Sequence, residues 1–330
     1  MLGGFLAAMA ATAPEASFTL ASPFPLAPMR RRFPQIEWLA CTPEARAAAI
    51  AACDAWVGLG GSPFQSAQSR WFVDHLVEES AWCARAAKPM YFLGVGVQEE
   101  RELQVPEVQV VCAQAAAIWT RDQASARRLA ALVPPARVRP AADLAQVLLA
   151  AWSPAPLQPG AVTVVLNFDH REEWDASTVT RAVAALAPRD RIWLAQESRL
   201  LPGGEKALHG SLPAEEQKRW HLREADRPEA PLSDVLAHWP SSEWLVTSRF
   251  HAAMAGAWAG SRVLVYVTNE KLHGVADELG LAAVPAGADA ATIEQALRSS
   301  APAPRPLAPA ETARASVREL VSAIRGQTRA

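Results

Sequence analysis

Lysine is almost missing from this sequence: Lys88, Lys206, Lys218 and Lys271 are the only four among 32 basic side chains. The positive charge is therefore nearly all arginine, whose planar fork grips phosphate or carboxylate, although a GC-rich coding bias would give the same skew. A surplus of either charge is missing as well. Thirty-two basic against 34 acidic residues leave a net charge of −2, which excludes the electrostatic footprint of a general nucleic-acid binder. Cysteine is scarce. Cys41, Cys53, Cys83 and Cys112 form no C-x-x-C pair and no metal-like grouping with histidine, which predicts reduced, mostly buried thiols in a cytosolic protein and no structural zinc. No apolar run reaches the roughly 18 residues of a membrane helix. Residues 1–13 resemble a short signal h-region ending in Ala11-Thr12-Ala13. A basic n-region is lacking, however, and Pro14 stands where cleavage would fall, so an ordinary first helix is expected.

Several catalytic signatures are also absent. There is no G-x-G-x-x-G, no P-loop and no G-x-S-x-G elbow, so a dinucleotide fold, a P-loop NTPase and a serine hydrolase have no motif behind them. His75, His170, His209, His221 and His238 show no metal-ligand spacing, and no metal is expected. The 12 tryptophans are spread along the chain and read as packing, with Trp71 and Trp119 as the ones placed to stack on a carbohydrate ring.

What is present is a 330-residue chain, 50% apolar and 20% charged, enough for two domains of roughly 150 residues each. Short apolar runs alternate with amphipathic stretches, the pattern of parallel sheets covered by helices. In the first half, strands are predicted at Ser17–Ala21, Ala55–Gly58, Pro89–Leu93 and Ala116–Thr120, with helices opening at Thr42-Pro43-Glu44 and spanning Gln68–Ala87 and Asp122–Leu132. The proline-rich WSPAPLQPG stretch, residues 152–160, reads as a linker because proline continues neither ladder. This divides the chain into domains 1–152 and 160–330 around a linker at 153–159. In the second half, strands are predicted at Val162–Leu166, Ile192–Ala195, Trp244–Thr247 and Val263–Val267, and helices around Ser177–Leu186, Phe250–Ala259, Leu272–Leu279 and Thr312–Ile324. The expected fold class is α/β, with two similar layered units whose parallel sheets face an interdomain cleft.

Two segments are built alike, Ala-Ile-Trp-Thr-Arg-Asp (117–122) and Trp-Leu-Val-Thr-Ser-Arg-Phe-His (244–251). Each is an apolar strand, a hydroxyl residue and an arginine where a helix should begin. Ligands of open parallel sheets bind beyond the strand carboxyl ends, and a helix N-terminus there adds N–H groups and about half a positive charge. Arg121 and Arg249 are thus candidates to hold a compact anion, with Phe250 beside them, His251 as candidate general acid and Lys271 within reach. The glycine loops Gly58-x-Gly60-Gly61-Ser62 and Gly94-x-Gly96, with Ser125, are expected to line the same cleft. Plainer roles compete: Asp122 can neutralise Arg121 and cap its own helix, His251 can serve a carbonyl, and Lys271 can be a surface charge.

At these residues the chain resembles the polysaccharide pyruvyl transferase family. The resemblance rests on the order of Asp54-Ala-Trp-Val-Gly-Leu-Gly-Gly-Ser, Lys88-Pro89 to Gly94-Val-Gly96-Val, Thr120-Arg121-Asp122-x-x-Ser125, Ala142-Asp143, Thr247-Ser248-Arg249-Phe250-His251 and Lys271, from about Ala40 to Leu281. It implies two Rossmann-like domains facing a cleft in a GT-B-like arrangement, and transfer of an enolpyruvyl group from phosphoenolpyruvate to a sugar of a cell-surface polysaccharide or its precursor. Arg121, Arg249, Phe250, His251 and Lys271 would then bind the donor, Arg249 and His251 would act in catalysis, and no cofactor would be needed beyond this substrate. The acceptor would be a saccharide, lipid-linked or free, and the location cytoplasmic or peripheral at the inner face of the membrane. That family begins with a strand and a Gly-rich, Asp-bearing loop, whereas only Met1-Leu-Gly-Gly stands before the first helix here, so that strand and loop are expected to be lacking. Two other readings stay open: a GT-B nucleotide-sugar glycosyltransferase, and a non-catalytic relative that binds an anionic glycan.

Overall fold

The structure, a computed structural model, describes residues 1–23, 26–65, 70–167, 176–196, 204–225 and 236–327. The start of the Gln68–Ala87 helix and His170 lie outside the described residues. The chain forms two compact units: Met1–Ala151 with Leu307–Ala330, and Trp152–Pro306.

The first unit runs α1 (Leu2–Thr12), β1 (Phe18–Ser22), α2 (Leu26–Arg32), β2 (Ile36–Ala40), α3 (Pro43–Ala52), β3 (Trp56–Leu59) and α4 (Trp71–Arg85). It continues with β4 (Met90–Val95), α5 (Pro106–Gln114), β5 (Ala117–Thr120), α6 (Gln123–Ala130), β6 (Val138–Pro140) and α7 (Ala145–Ala150). Strands β1 and β2 pair in parallel, and β3-β4-β5-β6 form a second parallel sheet in that order. Strand β4 is buried along its whole length, as a strand covered on both faces must be. The helices start where their caps say they should. Thr42 Oγ1 accepts from Ala45 N at 3.2 Å, with Pro43 at the first helical position, and Asp122 Oδ1 accepts from Ser125 N at 2.7 Å.

The second unit runs β7 (Gln158–Val165), α8 (Ala176–Ala184), β8 (Asp190–Ala195), α9 (Glu205–Ser211), α10 (Ala214–Gln217), β9 (His221–Glu224) and β10 (Ser242–Thr247). Then come α11 (Phe250–Ala259), β11 (Arg262–Val267), α12 (Glu270–Leu279), β12 (Ala282–Pro285) and α13 (Ala290–Ser299). Its six parallel strands lie in the order β12-β11-β10-β7-β8-β9. The chain lays β8 and β9 on one side of β7 and then returns to lay β10 on the other, so the strand order reverses between β7 and β10.

Two expectations need correction. The linker is shorter than 153–159: Gln158, Pro159 and Gly160 already belong to β7, and Gln158 pairs with Ser242. Pro159 is tolerated at the start of the strand, where a ladder donor is least missed. The last helix, α14 (Leu307–Gln327), belongs to the first unit and not to a domain 160–330. Its Ala313, Val317, Leu320 and Val321 are buried in one cluster with Phe5, Met9, Tyr91 and Trp119. Trp119 Nε1 donates to Glu319 at 2.9 Å, and Arg139 pairs with the same carboxylate at 3.0 Å. Among the described residues no helix is long and apolar enough to cross a membrane.

Candidate functional site

The carboxyl ends of β3, β4 and β5 gather the glycine loops, Ser62, Arg121 and Ser125 within the first unit. Gly96 N donates to Gly61 O at 2.8 Å and Gly60 N to Leu93 O at 2.8 Å, which stitches the two loops together. Gly94 has a φ of +67° and sits where the β4–β5 register slips between Leu93 and Val95, a bulge a side chain would strain. At Gly96 the demand is for space: a Cβ there would stand 2.4 Å from Arg121 Nε. Arg121 itself is 5% exposed. Its guanidinium lies 3.4 Å from Asp122 Oδ2 and donates at 3.5 Å to both Gly61 O and Ser62 Oγ. Ser125 Oγ accepts from Val97 N at 2.8 Å, and Gln98 Nε2 donates to Ser62 Oγ at 3.0 Å. These residues lock the loops on the sheet edge and on one another.

The second unit holds the other predicted group at the end of β10. Thr247 Oγ1 donates to Val165 O and accepts from Arg249 N, each at 2.9 Å, which turns the chain out of the strand. Ser248 N donates to Val165 O at 3.0 Å. Ser248 Oγ donates to Asn167 Oδ1 and accepts from Asn167 N, both at 2.9 Å. The carboxyl ends of β7 and β10 are thereby tied at the point where the strand order reverses, the usual ligand crevice of an open α/β sheet. Arg249 occupies the N-cap of α11 without a side-chain cap bond, and the N–H groups of the first turn point out along the helix axis. Phe250 is half-buried and His251 exposed, their rings edge to face at 5.3 Å. Lys271 lies in the first turn of α12, which follows the neighbouring strand β11, and Asn269 Oδ1 caps that helix through Leu272 N at 3.3 Å.

Arg249 also carries a partner that the sequence did not reveal. Its Nε donates to Glu205 Oε1 at 2.6 Å, and its Nη2 reaches the same oxygen. Glu205 is fully buried, and Arg249 keeps 30% of its side chain exposed. An exposed edge of a guanidinium anchored from behind can still meet an anion, and the carboxylate fixes its direction. No sequence signal marks Glu205, a single acid at the start of a short helix. Asn167 had one, as the first polar residue after the apolar run Val162–Leu166.

No family model matches this chain, and no curated protein sequence does. Solved structures do match along nearly its whole length. UDP-N-acetylglucosamine 2-epimerase from Rickettsia bellii is similar with a TM-score of 0.63 at 11% identity, covering 99% of this chain and 95% of the other. Anabaena HepE in complex with UDP and glucose is similar with a TM-score of 0.57 at 10% identity, covering 99% and 94%. The Neisseria meningitidis UDP-GlcNAc 2-epimerase bound to UDP-GlcNAc gives 0.56 at 11% identity, covering 90% and 88%. The chain has a GT-B-like α/β fold built on parallel sheets.

These likenesses overturn the resemblance to polysaccharide pyruvyl transferases. The folds that match are those of UDP-GlcNAc 2-epimerases and UDP-bound proteins, and phosphoenolpyruvate as donor falls with the resemblance. The physical reason lies in the motifs. Asp122 and Ser125 cap a helix and hold Val97 N, the glycines make tight strand exits, and Arg249 begins a helix, all of them tasks that open parallel sheets impose broadly.

Proposed function

We propose that this chain is a nucleotide-sugar enzyme of the GT-B type, holding the diphosphate of a UDP-sugar at the β10–α11 corner. The observation that carries this reading is the position of Ser248, Arg249 and the start of α11 at the strand-order reversal of the six-stranded sheet. A diphosphate is a compact multiple anion. First-turn N–H groups and the positive end of the helix suit it, and the exposed edge of Arg249 adds charge-assisted hydrogen bonds. His251, exposed in the same turn, is placed to hydrogen-bond a phosphate oxygen or the departing oxygen of the sugar linkage. A UDP moiety in two of the similar structures, and a saccharide in the same two, support the ligand class. Arg121 in this reading is a framework group, because it braces the glycine loops.

Titration calorimetry of the full chain with UDP and UDP-GlcNAc tests the reading. Binding near micromolar is expected, weakened at least about tenfold by Arg249→Lys and by His251→Ala. The lysine keeps a cation beside Glu205 while removing the fork, so lost affinity is not lost folding. No binding of either nucleotide, or binding indifferent to both variants, would remove the β10–α11 corner as the donor site.

A further inference from the structure

A cavity within the first unit is lined by none of the residues placed at the β10–α11 corner. It has a volume of about 480 Å³ and is lined by Ser22, Pro23, Leu26, Ala40, Cys41, Thr42, Trp71 and His75. That volume is in the range of small-molecule sites, about 300–1,000 Å³. Ser22 ends β1 and Ala40 ends β2, so the cavity opens at the carboxyl ends of two parallel strands, the edge where such sheets place ligands.

Its chemistry is specific. No lysine, arginine, aspartate or glutamate lines it among the described residues, which disfavours a phosphate or carboxylate ligand. Its lining pairs the hydroxyl residues Ser22 and Thr42 with apolar Pro23, Leu26 and Ala40 and the rings of Trp71 and His75. Trp71 meets His75 with ring centroids 4.1 Å apart and Phe72 edge to face at 4.9 Å. Those contacts hold the indole in place, yet Trp71 remains 39% and Phe72 51% exposed. His75 Nδ1 lies 2.8 Å from the Trp71 carbonyl oxygen, which fixes the imidazole beside the indole.

A neutral ligand with an apolar face and a hydroxyl edge fits this set. We propose that the cavity at the ends of β1 and β2 is a saccharide subsite, where a pyranose ring packs on the exposed surface of Trp71 and the His75 ring, lying against the indole at 4.1 Å, positions it. The polarised C–H bonds on one face of a pyranose pack against the electron-rich indole, while Thr42, whose oxygen caps its helix, keeps its hydroxyl hydrogen to donate to a sugar oxygen. Assigning this saccharide as the acceptor rests on the nucleotide-sugar reading; saccharide binding itself does not.

The test uses the full chain with methyl glycosides of glucose, galactose and N-acetylglucosamine at tens of millimolar, followed by saturation-transfer NMR and titration. At least one glycoside should bind, with its ring C–H protons most strongly saturated. Trp71→Ala should weaken that binding at least about tenfold, Trp71→Phe should retain part of it, and His75→Ala should weaken it several-fold. UDP affinity should be the same in all three variants, so failure of the β10–α11 site and failure of this one are read separately. Circular dichroism checks folding, and Trp71→Phe keeps the test open if the alanine variant does not fold. The proposal is overturned if no glycoside binds or if the variants bind as wild type does. It is equally overturned if uridine occupies the cavity instead, or if Trp71 serves only adhesion to anionic phospholipid vesicles.

Discussion

Arg249 and Glu205 show how one residue's surroundings change its meaning. A fully buried carboxylate needs a cation and hydrogen bonds to stay ionised, and breaking such a pair costs several kcal/mol. The arginine is therefore structural on its inner edge and available on its outer one. Glu102 is a contrasting acid, buried near the end of β4 with Gln98 N donating to it at 3.1 Å. Burial, ahead of that hydrogen bond, pushes its carboxyl above the usual 4.5. The folded state then binds this proton more tightly than the unfolded chain does, so stability falls as pH rises from below 4.5 through the raised value. Glu102→Gln should melt higher than wild type at neutral pH and converge with it at acid pH, as thermal melts across that window would record. Equal melting temperatures at neutral pH would refute the sign. The thiols of Cys83 and Cys112 are pushed up to about 12 by burial, which makes them inert packing groups at neutral pH.

Among the elements, α14 has the clearest energetic task. Its buried valines and leucine each contribute roughly 1.5–3 kcal/mol to the core that also holds Phe5 and Trp119. Val317→Asp should therefore abolish or severely weaken folding of the first unit, while Arg318→Asp, one position on and outside that cluster, should leave its melting nearly unchanged. A chain that tolerates Val317→Asp in denaturant unfolding would contradict the helix's placement. The element scale also shows how much the sequence disclosed. Helix Phe250–Ala259 was predicted with the bounds found, and β4, β5, β8, β10 and β11 lay within a few residues of their predicted places. Their runs are long, apolar and flanked by turn residues. Strands β2, β6, β9 and β12 were missed because three are only three or four residues long, and β2 carries Glu37 outward between Ile36 and Trp38. Which core α14 covers was not legible, since an amphipathic stripe names no partner. Of the candidate sites, the β10–α11 corner could be seen as strand, hydroxyl and arginine. Glu205 could not, because only folding brings it to Arg249. Of the two tryptophans read as able to stack on a sugar, Trp119 is 1% exposed and packs in the core, whereas Trp71 is 39% exposed.

At the scale of the molecule, three apolar clusters among the described residues each lie within one unit. One unit owns the clusters around Trp119 and Phe92, the other the cluster around Trp193, and none of these draws on both. Two separately cooperative bodies are expected, so unfolding should be resolvable into two transitions. UDP should raise only the transition of the unit containing β10 and α11, by about 2.7 kcal/mol at a hundredfold excess over Kd. Calorimetry on the full chain with and without UDP checks this, and a shift confined to the other transition would place the nucleotide elsewhere.

The return of the final helix to the first unit sets a timetable for synthesis. Residues 152–306 leave the ribosome as one unbroken stretch that already contains every strand of its sheet. The unit begun at Met1 has to wait, its apolar seam uncovered, until residues 307–327 have been translated. Domains usually mature in the order they emerge. Here the later-made one is expected to finish first, and the interval before residues 307–327 emerge is when the nascent chain has most need of a chaperone.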